Sequence, residues 1–175
     1  MKRPYTLAGR AGFVFLVVAA NFLVDRITKI WAVEFLQGNP PQGYWGNFVV
    51  FQYAENNGAF LSLGAGWPDL VKAIVLLVLP MGLCIVAIGY CVWKEEDKFR
   101  AALIASVATG GIANLYDRLF HSFHVVDFLN FGVGGLRTGI LNVADMSVTF
   151  GVILLVLHQY RQDKKKQGVE ERKVP

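Results

Sequence analysis

Charged residues are scarce in this chain of 175 residues, where Asp, Glu, Lys and Arg together make up 17%. A soluble domain has about 25%. Hydrophobic residues supply 54% of the chain, and the mean hydropathy is +0.43. So little charge excludes a disordered segment, a coiled coil and a nucleic-acid-binding module, and we expect no nucleic acid among the partners. The length fits one domain covering residues 1–175.

Cysteine is also rare. The two cysteines, Cys84 and Cys91, lie seven residues apart in one apolar run, which places them on one face of one helix. A disulfide between them is geometrically implausible, so we interpret both as packing residues.

Long apolar runs account for the high hydropathy. About 20 apolar residues cross the hydrocarbon core of a bilayer as a helix. We predict four spans with approximate bounds 11–31, 70–93, 100–118 and 140–160. The first run has the basic start of a secretory signal peptide, but its helical pattern continues beyond residue 20, so we expect it to be retained as a span.

Basic residues are distributed unevenly between the predicted loops. Segments 1–10, 94–100 and 161–175 hold twelve Lys and Arg residues, whereas segments 32–68 and 119–139 hold only Arg137. Cytoplasmic loops are enriched in these residues. We therefore predict that both termini are cytoplasmic, 161–175 being a basic tail, and that 32–69 and 119–139 are external.

The first external segment contains a candidate strand. Residues 48–53 are rich in aromatic and β-branched side chains, and a polar turn over 55–60 follows them. The predicted fold is an all-α membrane protein of four transmembrane helices with a small extracytoplasmic β platform.

Four aspartates converge on the outer boundary of this arrangement. Asp25, Asp117 and Asp145 lie at the outer ends of three predicted helices. Asp127 interrupts an apolar external run and points away from its neighbours if that run is extended. Intramembrane carboxylates are costly and indicate function. Two close carboxyl groups share one proton and activate a water molecule, which is aspartic peptidase chemistry. From the residues alone, any two of the four could form the pair.

Other functional classes fit less well. His121, His124 and Asp127 form a possible ligand set, but their spacing matches no usual zinc motif, so we predict no metal. A small transporter or proton/ion relay would also use intramembrane acids, but it needs polar groups along a whole path, and the inner halves of the predicted helices are nearly all apolar. A non-catalytic membrane chaperone would not require paired acids.

Five short motifs, in order along the chain, resemble those of bacterial lipoprotein signal peptidase (signal peptidase II). They are Asp25-Arg26-Ile27-Thr28-Lys29, Asn56-Asn57-Gly58-Ala59, the block from Gly110-Gly111 through Asn114 to Asp117-Arg118, Val125-Val126-Asp127-Phe128, and Asn142-Val143-Ala144-Asp145. The resemblance implies that Asp127 and Asp145 are the catalytic pair. It implies substrate-binding or supporting roles for eight further residues: Asp25, Lys29, Asn56, Gly58, Asn114, Asp117, Arg118 and Asn142.

The resemblance also implies a reaction and a location. A membrane aspartic endopeptidase of this kind cleaves prolipoproteins just before a diacylglyceryl-modified cysteine, without a metal or cofactor. We expect a monomer in the bacterial inner membrane, in contact with lipid, with its active site on the extracytoplasmic face. The chain departs from the family at Phe60-Leu61 and at Leu141, which bears on substrate preference. Next to Arg118 at a helix end, Asp117 is expected to form an ion pair or a cap.

Overall fold

The computed structural model describes residues 6–58, 64 and 66–171, with the backbone alone for 168–171. Most of the chain is helical, in five α-helices: α1 (Leu7–Leu36), α2 (Asp69–Ala73), α3 (Leu79–Trp93), α4 (Lys98–Phe120) and α5 (Val143–Glu171). A π-helical turn, Ile74–Val78, joins α2 to α3, so that Asp69–Trp93 is one continuous helix.

Four short strands form one antiparallel sheet, which confirms the predicted β platform. They are β1 (Gln42–Tyr44), β2 (Val49–Asn56), β3 (Val125–Val133) and β4 (Leu136–Arg137), in the spatial order β1-β2-β3-β4. The register between β2 and β3 shifts between Phe51 and Ala54. Asp127 therefore lies opposite Ala54 in the central strand pair.

Three helices among the described residues are long and apolar enough to cross a membrane: Leu7–Leu36, Asp69–Trp93 and Val143–Gln167. The fourth predicted span corresponds to α4, which is more polar. Its side chains face the other helices, and the buried ones include Ala105, Thr109 and Gly110. A helix surrounded by α1, α3 and α5 does not need the apolar surface of a helix that faces lipid.

Two helices extend beyond the predicted apolar runs. Thr6 caps the start of α1, its hydroxyl accepting the N–H of Gly9 at 3.2 Å. The helix continues past residue 31 to Leu36 and ends before Gly38, whose φ of +77° is a conformation that glycine tolerates. At the other end of the chain, α5 continues as a helix through most of the predicted basic tail.

Small apolar clusters pack the helices together. Cys91 lies with Val14 and Ala101, and Cys84 lies with Ala108 in a second cluster. Both thiols are free and buried, which confirms their interpretation as packing residues. Phe128 of β3 packs against α1 in a third cluster and fixes the sheet to that helix.

Two close approaches bring the start of α5 to the sheet and to α4. Leu141, just before α5, exchanges two backbone hydrogen bonds of 2.7 Å with Leu129 of β3. Gly110 of α4 lies so near that a Cβ atom there would be 2.5 Å from the carbonyl oxygen of Ala144. Together they place the first turn of α5 beside Asp127.

Candidate active site

A capping box starts α5 and holds Asp145 in the first turn. The side-chain oxygen of Asn142 accepts the N–H of Asp145 at 2.9 Å, and a carboxyl oxygen of Asp145 accepts the N–H of Asn142 at 3.1 Å. This reciprocal pair satisfies two backbone donors that a helix start would otherwise leave open. The Asn-x-x-Asp spacing of residues 142–145 thus has a local structural cause.

Asp127 is 3% exposed, and each of its carboxyl oxygens accepts an amide hydrogen bond. The donors are the side-chain nitrogen of Asn142, at 2.6 Å, and that of Asn56, at 3.2 Å. Burial, reinforced by the charge of Asp145, raises the pKa of Asp127 to about 7. Asn142 therefore touches both aspartates, and the pair can hold one proton near neutral pH.

Asn114 of α4 holds Asp145 from the other side. Its side-chain nitrogen donates to a carboxyl oxygen of Asp145 at 2.9 Å. Its side-chain oxygen accepts from Asn142 at 3.1 Å and from the Lys29 ammonium at 2.8 Å. Each oxygen of Asp145 thus has an N–H donor, and a buried cation lies one residue behind the pair.

An ion network between α1 and α4 surrounds that cation. The Lys29 ammonium lies 2.7 Å from Asp117 and 3.0 Å from Asp25. Arg26 binds both oxygens of Asp117, one of them at 2.9 Å, and Asp25 at 2.7 Å. Asp117 is therefore paired with α1, and its expected ion pair with the adjacent Arg118 is wrong. Consecutive helix positions point about 100° apart, which directs the two side chains to different neighbours.

Arg118 contacts the turn that follows β2. Its guanidinium donates to the carbonyl oxygen of Gly58 at 2.6 Å and to that of Asn114 at 3.2 Å. The side-chain oxygen of Asn56 accepts the N–H of Gly58 at 3.0 Å, so the turn is also held from within. The sequence departure at Phe60-Leu61 follows this turn and lies outside the described residues.

All ten residues predicted for the site belong to one continuous network of hydrogen bonds and ion pairs. Arg26 completes the network but was not among them. An available signal was its position beside Asp25 in an apolar helix, where a cation requires a buried partner.

The two histidines considered as metal ligands lie elsewhere. His121 is 3.3 Å from Asp117, and both His121 and His124 line a cavity together with Val126. Asp127, the next residue of β3, points to the opposite face of the sheet because side chains alternate along a strand. The three residues do not converge on one point.

Comparison with known proteins identifies the family. The family model described as signal peptidase (SPase) II matches residues 17–161, which include every residue of the network. The chain belongs to the signal peptidase II family. A protein named lipoprotein signal peptidase from Clostridium acetobutylicum is 34% identical over 154 residues, covering 87% of this chain and 97% of that protein. One of the same name from Treponema denticola is 35% identical over 163 residues, covering 88% and 94%.

A solved structure shares the fold. A bacterial membrane enzyme superposes with a TM-score of 0.74 at 22% sequence identity, covering 89% of this chain and 92% of that one. With three apolar helices and this structural neighbour, the chain is a multi-pass membrane protein. Family membership also makes it a peptidase.

Proposed function

We propose that this protein is an aspartic endopeptidase that removes the signal peptide from prolipoproteins, with Asp127 and Asp145 as its catalytic pair. The relatives named lipoprotein signal peptidase support the substrate class. The observation that carries the proposal is that Asn142 hydrogen-bonds to both aspartates. Relatives of this name and an apolar inner half of the helix bundle do not favour a transporter.

The proposed reaction needs one carboxylate and one carboxylic acid. The carboxylate takes a proton from water as the water oxygen bonds to the scissile carbonyl carbon, and the acid polarises the carbonyl oxygen. When the carbon–nitrogen bond breaks, the departing amine receives a proton from the pair. The pKa of about 7 at Asp127 supports a single shared proton at neutral pH. Amide donors on every carboxyl oxygen keep the two groups in position.

The other network residues act as positioning groups in this proposal. Lys29 places a positive charge behind the pair through Asn114, which limits the repulsion between the two aspartates. Arg118 and Asn56 hold the turn at Gly58 next to Asp127, where a substrate backbone would enter. Every one of these groups comes from a single chain, which supports action as a monomer.

We place the site at the extracytoplasmic face of the bacterial inner membrane, with four spans and both termini in the cytoplasm. The twelve-to-one distribution of Lys and Arg supports this orientation. The position of α4 among α1, α3 and α5 supports its crossing the membrane with them. Introduced cysteines test the topology: a thiol at Asn39 should be labelled from outside intact cells and a thiol at Gln167 should not. Labelling at Gln167 contradicts the orientation.

The substrate in this proposal carries a diacylglyceryl group on the cysteine just after the cut. A site at the edge of the bilayer can use the binding energy of the lipid, remote from the scissile bond, to position the peptide. The test incubates the purified protein in detergent with lipidated and with unlipidated prolipoprotein and follows product masses. We expect cleavage before the modified cysteine and slow reaction of the bare precursor. Equal rates on both precursors exclude the lipid requirement.

A further inference from the structure

A second cavity, of about 630 Å³, lies outside the catalytic pair. It opens between α1, the end of α4 and the face of β2 and β3 that points away from Asp127. Its lining includes Ile30, Val33, Glu34, Glu55, His121 and His124. None of these six residues belongs to the network described above, although Arg26, Lys29 and Asp117 of that network form part of its inner wall.

The cavity has an excess of negative charge. Three carboxylates line it, those of Glu34, Glu55 and Asp117, against the two cations Arg26 and Lys29. Asp117 is already paired with both cations. Neither Glu34 nor Glu55 forms an ion pair with any residue that the structure describes, and both are exposed. The cavity therefore offers two carboxylates to a cationic group from outside.

Glu55 is held in place by a neighbour on the same strand. The hydroxyl of Tyr53 donates to its carboxylate at 2.6 Å. Burial and this carboxylate raise the pKa of Tyr53 to about 12, so the phenol remains a donor. A fixed acceptor at Glu55 faces the α1 side of the cavity, where Glu34 lies.

Imidazole groups and an apolar edge form the rest of the cavity. His121 and His124 supply ring N–H groups at the end of α4 and the start of β3. Ile30 is 66% exposed and Val33 41% exposed on the adjoining surface of α1, and Phe120 is 67% exposed on α4. A ligand in this cavity thus meets acidic groups, hydrogen-bond donors and an apolar helix surface at the end of the bundle that carries the sheet.

We propose that this cavity binds the headgroup of a phospholipid that carries a primary ammonium group. The ammonium lies between Glu34 and Glu55, the phosphate accepts hydrogen bonds from His121 and His124, and the acyl chains lie along Ile30 and Val33. An ammonium with three N–H donors suits two carboxylates, whereas a quaternary ammonium has no donor to offer them. An anionic headgroup without an amine meets the excess negative charge.

Lipid binding tests the proposal without reference to peptidase activity. The purified protein is titrated with phosphatidylethanolamine, phosphatidylcholine and phosphatidylglycerol of identical acyl chains, and bound lipid is counted by native mass spectrometry. We expect phosphatidylethanolamine to bind most tightly. Glu34→Gln/Glu55→Gln should weaken it about tenfold, the loss of one charge-assisted contact. Water-soluble phosphoethanolamine at the same concentration should not displace the lipid.

A control variant removes the same charge elsewhere. Glu96→Gln/Asp163→Asn changes two carboxylates at the opposite end of the bundle and should retain the lipid. If the double variant at the cavity fails to fold, Glu34→Gln alone, on an exposed helix position, provides the test. Equal binding of the three lipids by the wild-type protein, or equal loss in the control variant, overturns the proposal. So does displacement by soluble phosphoethanolamine.

Discussion

The Asp25 carboxylate of α1 accepts the backbone N–H of Ala144, in the first turn of α5, at 2.9 Å. Its other oxygen pairs with Arg26 and Lys29 on its own helix. A side chain 119 positions earlier in the chain thus supplies an acceptor to the helix start that carries Asp145. Asp25 is 1% exposed, so this contact is made without competition from water.

Replacement of Asp25 should affect both stability and catalysis. Asp25→Ala leaves the Ala144 N–H and two cations without this partner, and breaking a buried ion pair costs about 3–5 kcal/mol. We expect a lower unfolding temperature in detergent and a fall in kcat larger than any rise in KM, because the first turn of α5 is displaced. Asp163→Asn, on an exposed part of α5, is the control. Wild-type kcat in Asp25→Ala would show that this contact does not position Asp145.

Asp127→Asn and Asp145→Asn should each abolish cleavage. An amide preserves size but neither shares the proton nor accepts one from water, so we expect losses of several powers of ten. The double variant should be no worse than either single variant, because the two groups act as a unit. Product masses measure cleavage, and thermal unfolding shows that each variant is folded. Near-wild-type turnover in either single variant means that the catalytic pair is assigned incorrectly.

Asp117→Asn should behave differently from the catalytic variants. Its partners are Arg26 and Lys29, so the change removes charge from a structural network and leaves the catalytic pair chemically intact. We expect a clear loss of stability together with partial activity. Parallel assays of unfolding temperature and turnover separate the two effects. A folded but inactive Asp117→Asn protein would place Asp117 in the chemistry.

The pH dependence of turnover follows from the raised pKa of Asp127, about 7. Below that value the pair keeps its shared proton, and above it the pair loses the acid that polarises the substrate. Activity should therefore fall as the pH rises through about 7, and fall again in acid as the second carboxyl group becomes protonated. A rate profile from pH 4 to 9 measures both limbs. A rate that stays level between pH 6 and 9 contradicts the assignment.

The same titration has a sign in stability. The carboxyl pKa is higher in the folded protein than in the unfolded chain, so the folded state binds more protons between the two values. The contribution of Asp127 is most favourable at low pH and declines as the pH rises towards 7. The unfolding temperature of wild-type protein relative to Asp127→Asn should accordingly decrease from pH 5 to pH 8. A constant difference contradicts the raised pKa.

Gly110→Ala should separate α4 from α5. The new Cβ would lie 2.5 Å from the carbonyl oxygen of Ala144, which is backbone and cannot rotate away. Overpacking of this kind costs about 1–3 kcal/mol, and here it displaces the turn that holds Asp145. We expect lower stability and lower kcat. Gly12→Ala, where nothing lies within 4 Å of the new atom, is the matched control and should be neutral or stabilising. Equal behaviour of the two variants excludes a tight contact at Gly110.

The sequence was sufficient to predict where the polar residues of the site meet. Acids are so unfavourable in an apolar helix that Asp25, Asp117 and Asp145 stand out without any structure. Alternation along a strand further predicted that Asp127 points away from Val126. Partner choice within the cluster was less accessible. Asp117 pairs with Arg26 and not with its neighbour because the rotation of α1 against α4 decides which long side chains meet.

Helix ends were also beyond the reach of hydropathy. Apolar runs show how much of a helix faces lipid, whereas the helix itself continues until a residue such as Gly38 stops it. Hydropathy likewise underestimates α4, because a helix packed on several sides can include residues such as Thr109 and Asn114. What matters there is the covering by other helices, which a single segment of sequence does not contain.

The uninterrupted course of α5 connects the site to the opposite bilayer surface. Asp145 lies in its first turn, and Lys164 lies nineteen residues further along. At about 1.5 Å per residue the two are about 29 Å apart, close to the hydrocarbon thickness of a bilayer. With lysine ammonium groups held among the inner headgroups, a rigid helix fixes the depth of Asp145 relative to the other leaflet. Local membrane thickness then determines how far the aspartates stand from the outer water layer.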